Sequence, residues 1–242
     1  MKDKDTSGPG ASIAIIIILL LMVIGFVYLL KDRNVAPSFP QLATSTVPTT
    51  GTPPSSSPAT TTFPSYYQDP STWQATTDTN GGFSISYPLD FSVIDNPIAA
   101  TGTDWRLGAN GTLGAQDLTL TVPQAFEPQT NFSGATLTVG RSADATAVSD
   151  CLVATNGETE AGGAVFINGI QFDVFTSNDA GAGNLYDTTS YRTVNNGQCY
   201  AVEYTIHSTQ LANYPASYDL TQFDMDKIQS TLDLIVSTFK FL

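Results

Sequence analysis

Few residues in this chain could carry covalent chemistry, and their spacing limits what that chemistry would be. His207 is the only histidine, and Cys151 and Cys199 are the only cysteines. A Ser–His triad would need a nucleophile elbow, and no G-x-S-x-G occurs. A Cys–His dyad can be written on paper, but a disulfide would consume both thiols. Zinc is held by clustered His, Cys and carboxylate ligands, yet the sequence has neither a C-x-x-C nor an H-x-x-x-H. Calcium suits the sequence better, because hard cations take oxygen ligands from turning backbone. Ser177–Asn184 (SNDAGAGN) offers Asp179 and Asn184, and Asp78–Gly81 (DTNG) offers a second turn. Neither completes an EF-hand, because the twelfth position counted from Asp78 is Leu89. Asn, Asp and Gly are also ordinary turn residues. No metal and no cofactor are therefore assigned.

Two further groups could act without covalent chemistry. The head carries many carboxylates, as a glycoside hydrolase requires, but nothing in the sequence pairs any two across a cleft. Tyrosines are dense around residues 186–218. Of these, Tyr186, Tyr191, Tyr200 and Tyr204 form a candidate partner or ligand face, the alternative being sheet and core packing. His207 ends the alternating run YAVEYTIHS and reads as a structural strand residue.

The elements that position these residues begin with an anchor. Residues 11–30 (ASIAIIIILLLMVIGFVYLL) contain no charge and no proline. Twenty residues of helix span ~30 Å, the thickness of the hydrocarbon core of a bilayer. The apolar run is longer than a signal-peptide core, and no small-x-small cleavage site follows it, so it reads as an uncleaved signal anchor. Neither a pilin processing pattern nor a lipobox cysteine is present. Residues 1–10 form a short cytoplasmic N-terminus, with the head outside. Lysine and arginine are balanced across the span. The orientation therefore rests on the α-amine, the uncharged stretch that follows and the cysteine pair.

Residues 31–72 hold eight of the fourteen prolines and many Ser and Thr. That composition favours extended, solvated chain and offers little to bury, so it reads as a disordered linker. Residues 73–242 are then one extracytoplasmic domain, near the usual domain size. The first 33 residues sum to +1, so the remainder carries −14 of the total of −13. Such a surface repels phosphate backbones and anionic lipid, and nucleic acid is excluded as a partner. In an oxidising compartment a lone pair of cysteines reads as a disulfide, which here would close a loop of nearly fifty residues. Two unpaired buried thiols are the alternative.

Within the head, alternation predicts strands at 83–87, 91–94, 105–107, 118–122 and 135–139. Asn168-Gly169 predicts a hairpin between 164–167 and 170–175, and Asn196-Gly197 predicts one between 185–194 and 199–206. A helix is expected over 142–152, capped by Ser142. A second begins at Asp224, with Met225, Ile228, Leu232 and Ile235 on one face. Phe239 and Phe241 alternate about Lys240 as a terminal strand. Tyr66, Tyr67 and Trp73 mark the border of the head. Cys199 starts the return strand of the second hairpin, so a bond to Cys151 would staple the first helix to the sheet. The fold class is α+β, an antiparallel sheet with two helices packed on it.

Gly82–Phe91 (GFSISYPLDF), together with Ser237–Phe241 (STFKF) after the last helix, resembles the two ends of PsbP-like domains. The resemblance implies a PsbP/Mog1-like α-β-α sandwich. Plant PsbP proteins assist photosystem II and Mog1 binds a small GTPase, but no residue here carries either activity across. The reading of the whole is a membrane-tethered extracytoplasmic binding or interaction module without catalytic activity, with an envelope protein or a glycan as its partner. A self-assembling cell-envelope structural protein is the alternative. A carboxylate-based hydrolase comes third.

Overall fold

The computed structural model describes residues 65–95, 101–155 and 157–242. The expected anchor, and the linker up to residue 64, lie outside the described residues. Among the described residues no helix is long and apolar enough to cross a membrane.

The first described elements of the head start at Ser65, inside the stretch expected to be linker. Two short 3₁₀ turns, Ser65–Gln68 and Pro70–Thr72, lead into it. Tyr67 is buried against Phe91 and Phe126, and its hydroxyl donates to Asp90. The indole Nε1 of Trp73 donates to the Tyr66 carbonyl at 2.6 Å. These aromatics tie the entry of the chain to the core, as expected from the sequence.

Two antiparallel sheets follow. The small one has the order β1-β2-β11, from Gln74–Asp78, Phe83–Tyr87 and Lys240–Phe241. Asp78 shapes the β1–β2 turn by accepting from the amides of Asn80 and Gly81. The large sheet has eight strands: β3 (Ser92–Asp95), β4 (Thr101–Gly102), β5 (Gly114–Val122), β6 (Phe132–Ser142), β7 (Glu158–Ile167), β8 (Ile170–Gly181), β9 (Asn184–Asn195) and β10 (Gln198–Thr209). Its order is β3-β5-β6-β10-β9-β8-β7, with β4 paired to β5.

Three successive two-residue turns build β7 to β10 as a meander. Asn168-Gly169, Ala182-Gly183 and Asn196-Gly197 all take positive φ, as a right-twisted hairpin requires. The middle turn corrects the expected loop at 177–184. Most of SNDAGAGN continues β8 and opens β9, because cross-strand pairing runs from Asp173 to Gly181.

Helix α1 (Ala145–Ser149) is a single turn rather than the longer helix expected over 142–152. Ser142 remains in β6, and Asp144 caps the helix by accepting from Thr146 and Ala147 amides. Helix α2 (Met225–Ser237) starts at the expected cap, with Asp224 accepting from the Lys227 amide. Its buried stripe is Ile228, Thr231, Leu232, Ile235 and Val236. That stripe closes one core with Phe83, Ile85 and Tyr87 of the small sheet and Leu120, Leu137, Val202 and Tyr204 of the large one. Fully burying each such side chain stabilises by roughly 1.5–3 kcal/mol. Among the described residues the architecture is thus α+β and mostly antiparallel sheet, with one substantial helix and one helical turn.

Candidate functional site

The site lies on the face of the large sheet that does not meet this core. Strand β10 alternates without a break across it. Val202, Tyr204 and Ile206 enter the core and Tyr200 is buried on the same side against Phe241, so Cys199, Ala201, Glu203, Thr205 and His207 must point the other way. Register then sorts the neighbours. On β9 the residues paired with them are Val194, Arg192, Ser190, Thr188 and Tyr186. On β6 they are Ser142, Gly140, Thr138, Thr136 and Gly134. This second face has a small apolar end, a charged middle and a hydroxyl-rich end.

At the apolar end the Cys151–Cys199 disulfide is formed, joining the segment just after α1 to β10 as expected. It packs with Ala147, Ala201, Ala109 and Trp105 in a second, smaller core. Residues 105–107 are expected as strand but form part of a loop that crosses the sheet face. Trp105 is too large for a plain exposed strand position and is buried over the two small residues Gly114 and Gly140. Asn110-Gly111, both at positive φ, turn the loop back. The Trp105 indole donates to Thr112 Oγ1 at 3.3 Å.

In the middle of the face four charges meet. Arg192 is fully buried, ion-paired to Glu158, and lies 4.5 Å over the Phe175 ring. Its Nε donates to Ser190 Oγ at 3.0 Å. Burial alone would raise the Glu158 carboxyl, but hydrogen bonds from Arg192 and from Thr155 outweigh it and hold it below its ordinary value. Arg106 is buried beside them and donates from Nη1 to the Leu107 carbonyl at 2.8 Å. Burial, then the Arg192 charge, lowers its guanidinium to about 10.

Glu203, only 8% exposed, accepts the Leu107 amide at Oε1, 2.9 Å away. Its Oε2 is buried and takes no hydrogen bond from any described residue. Burial pushes this carboxyl up, against the opposing pull of the Leu107 amide, the Ser190 hydroxyl and both arginines.

A cavity of about 480 Å³ opens above this carboxylate, between the 103–111 loop and strands β6 and β10. Its polar wall includes Asp104, Arg106, Thr136, Thr138, Glu203 and Thr205. A neighbouring depression of about 420 Å³ shares Thr136 and Thr205 and reaches Tyr186 and His207. Those two rings stack with centroids 4.6 Å apart, and His207 Nε2 sits 2.8 Å from Asn184 Oδ1.

The four tyrosines proposed as one face are divided between two. Tyr186 alone lies on the polar face. Tyr200 and Tyr204 are buried in the core, and Tyr191 is half-buried against it. The hydroxyls of Tyr191 and Tyr204 both donate to Asp233 Oδ1 on α2, at 2.8 and 2.7 Å. Strand parity is the reason, since Tyr186 and Tyr191 are five residues apart on one strand. The calcium candidates are engaged elsewhere. Asp179 accepts the Ala180 amide, and Asn184 bonds both Gly181 and His207. Among the described residues no group of three or more His, Cys, Asp or Glu is gathered where it could hold a metal.

Arg106, Glu158, Arg192 and Glu203 were not singled out by sequence reasoning. Each occupies a position where a charge on an exposed strand or loop is ordinary. The one available signal is the crossing loop, whose Trp105-Arg106 pair is hard to leave in solvent.

The described residues thus define a small α+β domain with a ligand-sized polar cavity on the open face of its larger sheet. No family model and no curated protein matches the chain. Among solved structures it is similar to cyanobacterial PsbP (CyanoP) from Synechocystis sp. PCC 6803. That match has 13% identity and a TM-score of 0.36, over 70% of this chain and 92% of that one. It is also similar to a protein from Bacteroides thetaiotaomicron VPI-5482 solved at 1.50 Å. Here identity is 12% and the TM-score 0.31, over 66% of this chain and 45% of that one. The chain therefore spans less than half the length of the Bacteroides protein.

Proposed function

We propose that this protein is a membrane-tethered extracytoplasmic binding module, and that it engages its partner through the polar face of the large sheet without catalysing a reaction. One observation carries the reading. Strands β5, β6, β9 and β10 present hydroxyl-bearing residues (Thr121, Thr136, Thr138, Thr188 and Thr205) on a face that, among the described residues, is covered by the 103–111 loop and, at its apolar end, by α1 and the segment after it, and two adjoining cavities share Thr136 and Thr205. A sheet face built only to be solvated has no need of cavities or of a buried carboxylate. The apolar anchor at residues 11–30 and the proline-rich linker supply the tether in this reading.

The test is photo-crosslinking in intact cells, with a probe at Thr136 and a control probe at the exposed end of β1, Thr77. A recurrent adduct from Thr136 that is absent from Thr77 is the expected result. Equal labelling from both positions overturns the reading.

Self-assembly has one observation in its favour. Strand β7 is an open sheet edge with Phe166 73% exposed and Val165 beside it. Adducts between copies from a probe at Phe166, with none from Thr136, would make the protein a surface-assembly component.

A further inference from the structure

We propose that the cavity above Glu203 binds a neutral, polyhydroxylated ligand, a unit of a glycan, whose hydroxyls bond the polar groups of its wall, Thr136, Thr138, Thr205, Arg106 and Glu203. The proposal rests on the reading of this face as a binding surface and assigns its ligand class.

Charge selects a neutral ligand. The charged groups on the cavity wall are Arg106, Glu203 and the exposed Asp104, with the buried Arg192–Glu158 ion pair nearby. Both signs stand at the wall, so a ligand of either charge meets a like charge there. An anion also meets the −14 carried outside the first 33 residues. A cation attracted to Glu203 meets Arg106 at the same wall.

Hydrogen-bonding capacity selects hydroxyls. Glu203 Oε2 can only accept while ionised, and it has no partner among the described residues. Arg106 can only donate, and its Nε has no partner among the described residues either. The hydroxyls of Thr136, Thr138 and Thr205 can do both. A ligand matching acceptor, donor and mixed groups within one cavity must itself carry several groups that both donate and accept. Hydroxyls on a compact ring meet that requirement.

Shape extends the argument from one unit to a short chain. The cavity of about 480 Å³ falls in the range of small-molecule sites, roughly 300–1,000 Å³. The adjoining depression continues past Thr136 and Thr205 to the stacked Tyr186–His207 pair. An aromatic ring at that end can cover the apolar C–H face of a second sugar. The polar cavity and the aromatic end thus fit successive units of an oligosaccharide.

The experiment is calorimetric titration of the full chain in lipid nanodiscs. The neutral probes are the tetrasaccharides of N-acetylglucosamine, glucose and mannose. The cationic glucosamine tetramer and the anionic galacturonate tetramer serve as charged probes. Binding of at least one neutral tetramer is expected, with both charged tetramers weaker. Glu203→Gln replaces a charge-assisted acceptor by a neutral one and should weaken binding about tenfold. Thr136→Val is a second variant on the other wall and should weaken it as well, while Phe166→Ser on the distant edge should not. Thermal melting of each variant separates lost binding from lost folding.

Tighter binding of a charged tetramer overturns the assignment. So does neutral binding that both Glu203→Gln and Thr136→Val leave unchanged, or no saccharide binding at all. If saccharides fail while Thr136 crosslinks still recover one partner protein, the glycan assignment falls and the binding face stands. If both fail, both fall.

Discussion

Gly140 on β6 lies so close to the carbonyl oxygen of Trp105 that a Cβ at that position would overlap it. The two residues belong to different elements, and their approach sets the height of the 103–111 loop above the sheet. Gly140 does not adopt positive φ, so space rather than backbone freedom requires the glycine here. Gly140→Ala should therefore displace the loop and cost roughly 1–3 kcal/mol, as overpacking does. Gly181→Ala is the matched control, since a Cβ there meets nothing, and it should stay within about 0.5 kcal/mol of the parent. Urea unfolding followed by tryptophan fluorescence reads both. Equal stabilities would show that the loop does not rest on Gly140.

The Cys151–Cys199 bond joins residues 48 apart in sequence and holds α1 against β10. Closing a loop of that length stabilises by up to ~4 kcal/mol in the chain-entropy account. The Cys151→Ala/Cys199→Ala double variant should lose about 2–4 kcal/mol, measured as a lower urea midpoint. Adding reductant should lower the midpoint of the parent protein but not of the variant. A midpoint insensitive to reductant in both would mean that the bond carries no stability.

Arg192 and Glu158 form a buried pair, and breaking one side leaves the other charge uncompensated. Arg192→Met should cost about 3–5 kcal/mol. Arg192→Met/Glu158→Gln should recover most of that loss, because no buried charge is then stranded. Additive losses in the double-mutant cycle would show that the pair is not coupled. The pair also predicts an acid limb. The carboxyl of Glu158 lies below its ordinary value of 4.5 in the folded state, so its stabilisation is present above that value. It is lost as pH falls through the lower folded value.

Asp117 has the opposite sign. Burial, opposed by Arg141, lifts its carboxyl from 3.8 to about 6. Its Oδ2 accepts from Arg141 Nε at 2.9 Å, whereas Oδ1 is buried with no partner among the described residues. Between the two values the folded state holds a proton that the unfolded state has released. Stability therefore falls as pH rises from about 4 to about 6, by on the order of 3 kcal/mol in total. Asp117→Asn should remove this slope and be more stable than the parent at pH 7. Chemical denaturation at a series of pH values measures it. A parent whose stability rises across that interval as steeply as the variant's contradicts the assignment.

The parts of the fold legible in sequence are those governed by a few neighbouring residues. Asn168-Gly169 and Asn196-Gly197 announce their hairpins because a tight turn needs positive φ and these residues accept it. Asp224 and the spacing of Ile228, Leu232 and Ile235 announce α2 because a cap and a 3.6-residue period are local. The turn at Ala182-Gly183 was hidden by its polar, loop-like surroundings. Trp105–Leu107 passed for a strand because alternation over three residues cannot reveal that the chain lifts off the sheet. The tyrosines were misgrouped because nearness in sequence does not give strand parity its due weight. Tyr200 and Tyr204 share a face with each other but not with Tyr186.

The sequence by itself determined the apolar run at 11–30, the proline-rich stretch after it, the acidity of the head, and the hairpins and helix that local preference encodes. Only the tertiary structure decided which side of the large sheet is core and which is site. It placed Leu107 on Glu203 across 96 residues and Glu158 on Arg192 across 34. Propensity and turn chemistry act over a few bonds and are written where they act. A cavity is made by residues whose proximity depends on the register of every strand between them. That register is set by the burial of the opposite face.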